Sequence, residues 1–407
     1  MTLRTSSASR SWQSGPLSSF LLFAGSIVFA LALAEGMLRL VPGLLSVELQ
    51  QIVQADPDNY GVAHPYIGYL GGPNKTFIIA GRDFRAANHT DGYGFRNAWP
   101  WPEKAEIVAV GDSVTFGYGV EDDQAWPALV AKALPHNRLI NLGLIGAGTQ
   151  QYLRLYETFG TRLHPKLLLV GFLVRNDFWD ADMFDGWLKS GAQGNFMVWR
   201  DYGRPRSTSL SLDQPIGNLV RSLLWRGHVL ASKSHFYNLL MYVQRYLRGY
   251  GTSKPRIFRA PDGTQLQLDL GGFTSQTGIG QPGNRAFDIS VEALQRLHSI
   301  SRANGTKILV VLQPSKEEVY LPLMGETNVD ADPGRPLRVK LGELGIPYLD
   351  LLPDFRTRAA KGEVLFFEVD GHPNPRGYAL IAELVLDHLR NNAKTYNLKD
   401  LAKSSSP

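Results

Sequence analysis

Glu106-Ile107-Val108-Ala109-Val110 is a short, apolar, β-branched run of the kind that forms a strand buried on both faces. It opens an alternation of such runs with helical patterns. Further strands are expected at Arg138–Leu142, Lys166–Val174, Lys307–Leu312 and Ile346–Leu351. Helices are expected at Ala125–Leu134, from Thr149 onward, at Ala286–Ala303 and at Pro375–Arg390. The second of these places Tyr152, Leu155, Tyr156 and Phe159 on one face, with Gly160 as its stop. Parallel strands joined by helices must cross over right-handedly, so the fold class expected is α/β: a three-layer α/β/α, doubly wound, flavodoxin-like sheet of five parallel strands.

The 407 residues are 44% apolar and 19% charged, enough for a packed core of this size. Lys and Arg exceed Asp and Glu by 5 but are scattered, so no nucleic-acid partner is expected. The chain has no cysteine, which excludes thiolate catalysis, Cys-based zinc sites and disulfides. Its nine histidines show no ligand spacing, and the glycines between Gly111 and Gly119 match neither phosphate-loop nor dinucleotide patterns. Neither a metal nor a cofactor is expected.

Outside the alternation the chain changes character. Residues 1–16 read as a polar cytoplasmic tail carrying Arg4 and Arg10. Residues 17–40 read as a transmembrane signal anchor, uncharged from Leu17 to Ala34 and near the ~20 residues that span a bilayer. Arginines ahead of it and acids behind it orient the N-terminus inward and export the body. A signal peptide cleaved after Ala32-Leu33-Ala34 is the alternative, and it exports the body too. Residues 41–104, rich in Gly, Pro, Asn and aromatics, read as a β-rich collar, with strand-like pieces at Thr76–Ile79, His64–Tyr69 and Thr90–Arg96. Residues 105–177 and 286–395 form the catalytic domain, and 396–407 a flexible tail. Residues 178–285 interrupt it as a mostly helical cap, loop-like over 178–215, helical over 217–248, and with a hairpin signal at Ala260-Pro261-Asp262-Gly263-Thr264. The apolar stripe Phe236, Leu239, Leu240, Val243 and Leu247 is read as packing within that cap. With Arg221, Arg226, Lys233, Arg245 and Arg248 interleaved, a membrane-surface helix is the alternative.

Four groups of residues fall at the carboxyl ends of the expected strands or in the loops after them, where open α/β sheets bind ligands. Ser113, in Gly111-Asp112-Ser113, follows the first strand. Gly146 lies five residues beyond Asn141, after the second. Arg175-Asn176-Asp177 follows the third, and Asp370-Gly371-His372-Pro373-Asn374 precedes the last helix. A serine hydroxyl is a poor nucleophile until a base takes its proton, a task for His372, with Asp370 fixing the imidazole tautomer. The oxyanion of a tetrahedral intermediate needs donors. The Ser113 and Gly146 backbone N–H groups and the Asn176 amide suit it, and losing one such donor costs about 100- to 1,000-fold in rate.

These blocks resemble the SGNH hydrolases, the GDSL esterase/lipase family. Gly111-Asp112-Ser113 resembles its first block, Gly146 its second, Asn176-Asp177 its third, and Asp370…His372-Pro373-Asn374 its fifth. The resemblance covers residues 105–177 and 286–392 and implies the three-layer fold, ester chemistry through an acyl-serine, and the roles given above. Two departures stand out. The family's acid usually lies three residues before the histidine, whereas Asp370 lies two before His372 and position 369 is Val. The insertion at 178–285 also falls outside the common core.

A second resemblance is to proteins of bacterial surface-polysaccharide systems, alginate O-acetylation proteins being the nearest type. It rests on the single anchor, the exported domain and Gln313-Pro314-Ser315-Lys316 after a strand. Those proteins often carry the Asp-x-His pair ahead of the serine, and here it follows. Lys316 is read as a solvated loop lysine. Together the resemblances imply an inner-membrane, single-pass esterase facing the periplasm or cell exterior. It would act on O-acyl, above all O-acetyl, esters of a glycan or lipid-linked glycan, with other polysaccharide-assembly membrane proteins as partners. An acyltransferase using the same triad is the first alternative, and a non-catalytic glycan-binding or assembly protein the second.

Overall fold

The computed structural model describes residues 16–45, 49–50, 61–134, 136, 138–192, 194–203, 227, 230–247, 255–325 and 332–398. The expected cytoplasmic tail, Arg221, Arg226, Arg248 and the end of the C-terminal tail lie outside the described residues. The chain forms two compact units: residues 1–56 with 230–250, and residues 57–229 with 251–407.

Helix α1 (Pro16–Leu40) belongs to the smaller unit. Its 25 residues rise about 37 Å, more than the ~30 Å hydrocarbon core of a bilayer. Its side chains are largely exposed, as apolar side chains are on a helix long enough to cross a membrane.

The larger unit opens with two hairpins, β1 (Val62–His64) with β2 (Gly68–Leu70), and β3 (Thr76–Ala80) with β4 (Arg85–His89). The strand expected over Thr90–Arg96 is instead a series of turns, because Asp91 Oδ1 accepts from the Tyr93 and Phe95 amides and pulls the backbone around. Then come β5 (Ile107–Val110), α2 (Ser113–Phe116), α3 (Trp126–Ala133), β6 (Leu139–Asn141), α4 (Thr149–Leu155), β7 (Leu167–Leu173) and α5 (Asp177–Lys189). The expected α4 face is buried, but the helix does not stop at Gly160. It runs on through tighter and wider turns to His164, whose φ of +48° ends it.

The described start of the insertion is helical where its sequence read as loop-like. Residues 177–189, read as loop-like from 178, are a helix in which Phe178, Ala181, Phe184 and Trp187 at helical spacing are buried. Nor is 178–285 one cap. Helix α6 (His235–Leu247) clusters with the smaller unit, against α1, because the Glu35 carboxylate takes the N–H groups that open it. The hairpin signal at 260–264 joins β8 (Arg256–Arg259) to β9 (Gln265–Leu268).

The chain closes with α7 (Arg285–Ala303), β10 (Lys307–Gln313), α8 (Lys316–Tyr320), α9 (Arg335–Glu343), β11 (Tyr348–Asp350), α10 (Leu352–Ala360) and α11 (Pro375–Asn391). The five expected strands form one parallel sheet, ordered β11-β10-β7-β5-β6, with Val310 beside Val170 and Val108 beside Leu168. Alternate residues feed two cores. Val108, Val110, Leu168, Val170, Val310 and Leu312 join Val291, Leu294 and Leu297 of α7 on one face. On the other, Ile107, Ala109, Leu169, Leu309 and Val311 join Trp126 of α3 and Ile381 and Val385 of α11. Helices on both faces of a parallel sheet make the three-layer α/β/α fold expected. Tyr396 and Leu398 are buried and the Tyr396 hydroxyl bonds His388 Nε2 at 2.9 Å, so residues 396–398 of the expected flexible tail are packed.

Candidate active site

The serine turn is set by local chemistry. Asp112 caps α2, its Oδ1 accepting from the Val114 N–H at 2.9 Å, which leaves Ser113 as the first helical residue with its own N–H unspent. Gly117, at φ +92°, ends the helix after one turn. Arg96, buried under the turn, donates to the carbonyls of Gly117 at 2.6 Å, Phe116 at 3.2 Å and Val120 at 3.0 Å, and pairs with Asp122. Asn141 at the end of β6 ties in the neighbouring loop: its Nδ2 donates to Thr115 O and its Oδ1 accepts from Gly143 N.

The histidine loop is built by two side chains of its own. Asn374 caps α11 through the Arg376 and Gly377 amides, while its Nδ2 donates back to Val364 O and Phe366 O. Asp370 Oδ1 accepts from the His372 backbone N–H at 2.8 Å and reaches the same residue's Nδ1 at 2.6 Å. This turn explains how an acid two residues ahead meets its imidazole, where a third residue is the usual spacing. His372 Nε2 lies 2.8 Å from Ser113 Oγ. The structure thus brings Ser113, His372 and Asp370 into one hydrogen-bonded line. Burial raises the Asp370 carboxyl, but the bonds from His372 and the Lys316 charge outweigh it and hold Asp370 below the usual carboxylate range.

The remaining site residues stand on the same edge of the sheet. Gly146 follows β6 at φ +72°, and among the described residues its N–H is not spent on a protein acceptor. A Cβ there would meet Arg200 Nη1 at 2.5 Å. Arg200, held by Asp180 and Asp201, walls this side of the loop. Asn176 precedes α5, and its Nδ2 lies 3.4 Å from Asp112 Oδ2, at the long limit of a hydrogen bond. Asp112 itself is fully buried, and burial raises its carboxyl.

Sequence reasoning missed four supports. Lys316 is not a solvated lysine but is 1% exposed. Its Nζ donates to the carbonyls of Phe367, Glu368, Val369 and Asp370 at 3.2, 3.3, 3.2 and 2.8 Å, gripping the strip that leads into the Asp370–His372 turn. Burial lowers this ammonium to about 8, against the pull of Glu317, Asp370 and Asp83. From the collar, Asp83 accepts the Val369 N–H at 2.7 Å, and Arg96 acts as above. Tyr118 lies 4.4 Å from the His372 ring, centroid to centroid. Only the Ser315-x-x-Glu318 capping pattern, which opens α8, was legible as a clue to Lys316. Among the described residues no group of three or more His, Asp or Glu could hold a metal.

Residues 273–405 match the family model described as the SGNH hydrolase-like domain of the acetyltransferase AlgX. A comparison with curated proteins gives no match. Among solved structures, a lipolytic protein of the G-D-S-L family from Veillonella parvula is 14% identical over 69% of this chain and 96% of its own, with a TM-score of 0.35. A catalytic mutant of an acetylxylan esterase from Geobacillus stearothermophilus is 13% identical over 71% and 95%, with a TM-score of 0.34. Likenesses this distant carry no argument. Residues 273–405 are similar to an SGNH hydrolase-like domain, and the parallel sheet between two helical layers is the fold that similarity implies.

Proposed function

We propose that this protein is an anchored serine enzyme acting on O-acyl, chiefly O-acetyl, esters of a glycan or lipid-linked glycan. The observation that carries the reading is the line Asp370 Oδ1 – His372 Nδ1 at 2.6 Å and His372 Nε2 – Ser113 Oγ at 2.8 Å. With Nδ1–H given to the carboxylate, the Nε2 lone pair faces the serine hydroxyl. Ser113 Oγ attacks the ester carbonyl as its proton passes to Nε2. The tetrahedral oxyanion takes the Ser113 and Gly146 N–H groups and the Asn176 amide. Nε2–H then protonates the departing sugar oxygen, and the C–O bond breaks to leave acyl-Ser113. Water attacks that ester in turn, its proton passing through Nε2 back to Oγ.

A sugar hydroxyl in place of water makes the same machinery a transferase. The family match favours this second reading, because its description names an acetyltransferase. For location, α1 serves as an uncleaved anchor, its inward end preceded by Arg4 and Arg10, with the catalytic unit in the periplasm or at the cell exterior.

The deciding experiment is p-nitrophenyl acetate turnover by the full chain in detergent, against Ser113→Ala, with and without a sugar acceptor. Turnover that vanishes in the variant supports the serine route, and acetyl-sugar formed in excess of acetate identifies the transferase. Equal rates in both proteins overturn catalysis by Ser113 and leave a glycan-binding protein on an esterase scaffold.

A further inference from the structure

Helix α6 is amphipathic, and the later part of its apolar stripe is exposed while Phe236 and Leu239 are half-buried. Leu240, Val243 and Leu247, spaced i, i+3 and i+7 on one side, are 53, 41 and 78% exposed, comparable with the outward residues of α1. Leu230, just ahead of the helix, is 71% exposed. A monomer in water leaves no such stripe bare without a reason. The polar Asn238, by contrast, is buried, with its Nδ2 on Ser232 O.

The first turn of α6 is fastened to the end of α1. Glu35 accepts from Ser234 Oγ at 2.8 Å, from the His235 N–H at 3.2 Å and from the Phe236 N–H at 2.9 Å. It also pairs with Arg39 at 2.6 Å, whose Nη2 donates to Lys233 O. A carboxylate and a guanidinium are costly within hydrocarbon, so Glu35 and Arg39 mark the level at which α1 leaves the bilayer. The start of α6 sits at that same level. Its 13 residues rise about 20 Å, too short to recross a ~30 Å core.

Resting on the reading of α1 as an anchor, we infer that α6 lies in the membrane interface. Leu240, Val243 and Leu247 are immersed at the boundary of headgroups and acyl chains, and the Glu35–Arg39 pair locks the helix to the exit of the span. The occupant of the exposed stripe is the phospholipid surface, reached because the stripe continues from a helix already in lipid. Anchor and α6 are held together by hydrogen bonds across 194 or more residues of chain.

Because the chain has no cysteine, single-cysteine labelling is direct. The full chain, labelled with an environment-sensitive fluorophore at Leu240→Cys, Val243→Cys, Leu247→Cys, Met241→Cys or Val28→Cys, is reconstituted in vesicles of phosphatidylethanolamine and phosphatidylglycerol. Spin-labelled lipids serve as quenchers, and circular dichroism verifies the fold of each variant. The expected result is blue-shifted, lipid-quenched emission at 240, 243, 247 and 28, with weaker quenching at 241, which points away from the stripe. Quenching at 28 but not at the stripe overturns the inference alone, and blue-shifted stripe emission that lipid quenchers do not reach means that protein covers it, overturning it equally. No quenching at 28 overturns the anchor and the inference with it.

Discussion

Lys316→Met tests whether the grip on the histidine loop matters to chemistry or only to folding. Methionine keeps the unbranched length and deletes the ammonium. Two stability effects then oppose each other. Four carbonyls lose their donor, the shortest contact being 2.8 Å to Asp370 O, and hydrogen bonds to a charged group contribute about 1.5–3 kcal/mol each when well made. Against this, a lysine drawn from 10.5 to about 8 by burial costs about 3 kcal/mol to keep charged. Only the 2.8 Å bond to Asp370 O is well made, the other three contacts at 3.2–3.3 Å being weak, so the net change in unfolding free energy is small, within about 2 kcal/mol of zero. The loop, however, loses the ammonium that grips its carbonyls, and the Asp370–His372 turn is free to drift. A displacement of about 1 Å costs on the order of 100-fold in rate, or about 2.7 kcal/mol of barrier. The expected result is kcat for p-nitrophenyl acetate down about 100-fold, KM little changed, and thermal unfolding shifted only slightly. Wild-type kcat in Lys316→Met, or a rate loss that merely tracks the fraction unfolded at the assay temperature, refutes the reasoning.

Other outcomes follow from the same geometry. Asp370→Asn keeps the shape but spoils the tautomer, so kcat is expected to fall by about 10⁴, read on the folded variant in the same turnover assay. Asp370 is held below its ordinary pKa, so its stabilising contribution is complete above about pH 4 and disappears as pH falls through its lowered value; chemical denaturation of Asp370→Asn against wild type should converge at acid pH. Glu318, fully buried, is pushed up to about 7, so the folded state holds a proton that the unfolded state has lost between about pH 4.5 and 7, and stability falls as pH rises across that window. Glu318→Gln keeps the acceptor for Ser315 N and should remove about 2–3 kcal/mol of this slope, measured as unfolding free energy at pH 5 and 8. Gly146→Ala forces a Cβ to within 2.5 Å of Arg200 Nη1 at φ +72°, and is expected to cut turnover at least tenfold and to destabilise by about 1–2 kcal/mol, checked by turnover and thermal melting.

What the sequence disclosed was what local pattern can carry. Val108, Val170 and Val310 stand in short apolar, β-branched runs that read as buried parallel strands; the turn that carries Ser113 follows one of them, and His372 lies just ahead of the periodic helix α11. Burial of polar groups was not legible. Lys316 is charged, follows a Pro-Ser pair and looks like surface, yet four carbonyls contributed by residues some fifty positions on are what admit it to the interior. Asp83 and Arg96 lie in a Gly- and Pro-rich stretch whose pattern says only collar, and their partners at Val369 and Gly117 become neighbours only through the tertiary fold. Trp187 falls in the stretch 178–215 that reads as loop-like, because Gly186 and a run of acids dilute the helical period of α5. For α6 the periodicity was plain, but whether lipid or protein covers a stripe depends on what the helix is fastened to, and Glu35 is some 200 residues away.

Ser113 and His372 are 259 residues apart in the chain, and the strip that carries His372 is gripped from Lys316 on one side and Asp83 on the other. On the function proposed above, a chain threaded across a membrane from its N-terminal end would expose its serine long before its base could reach it. Until the bridge of Phe366 to Pro373 had formed and α11 had docked, the hydroxyl would be as inert as any other serine. Delivery would then act as a safety catch, and recovery of turnover after refolding would be a direct clock for the docking of α11.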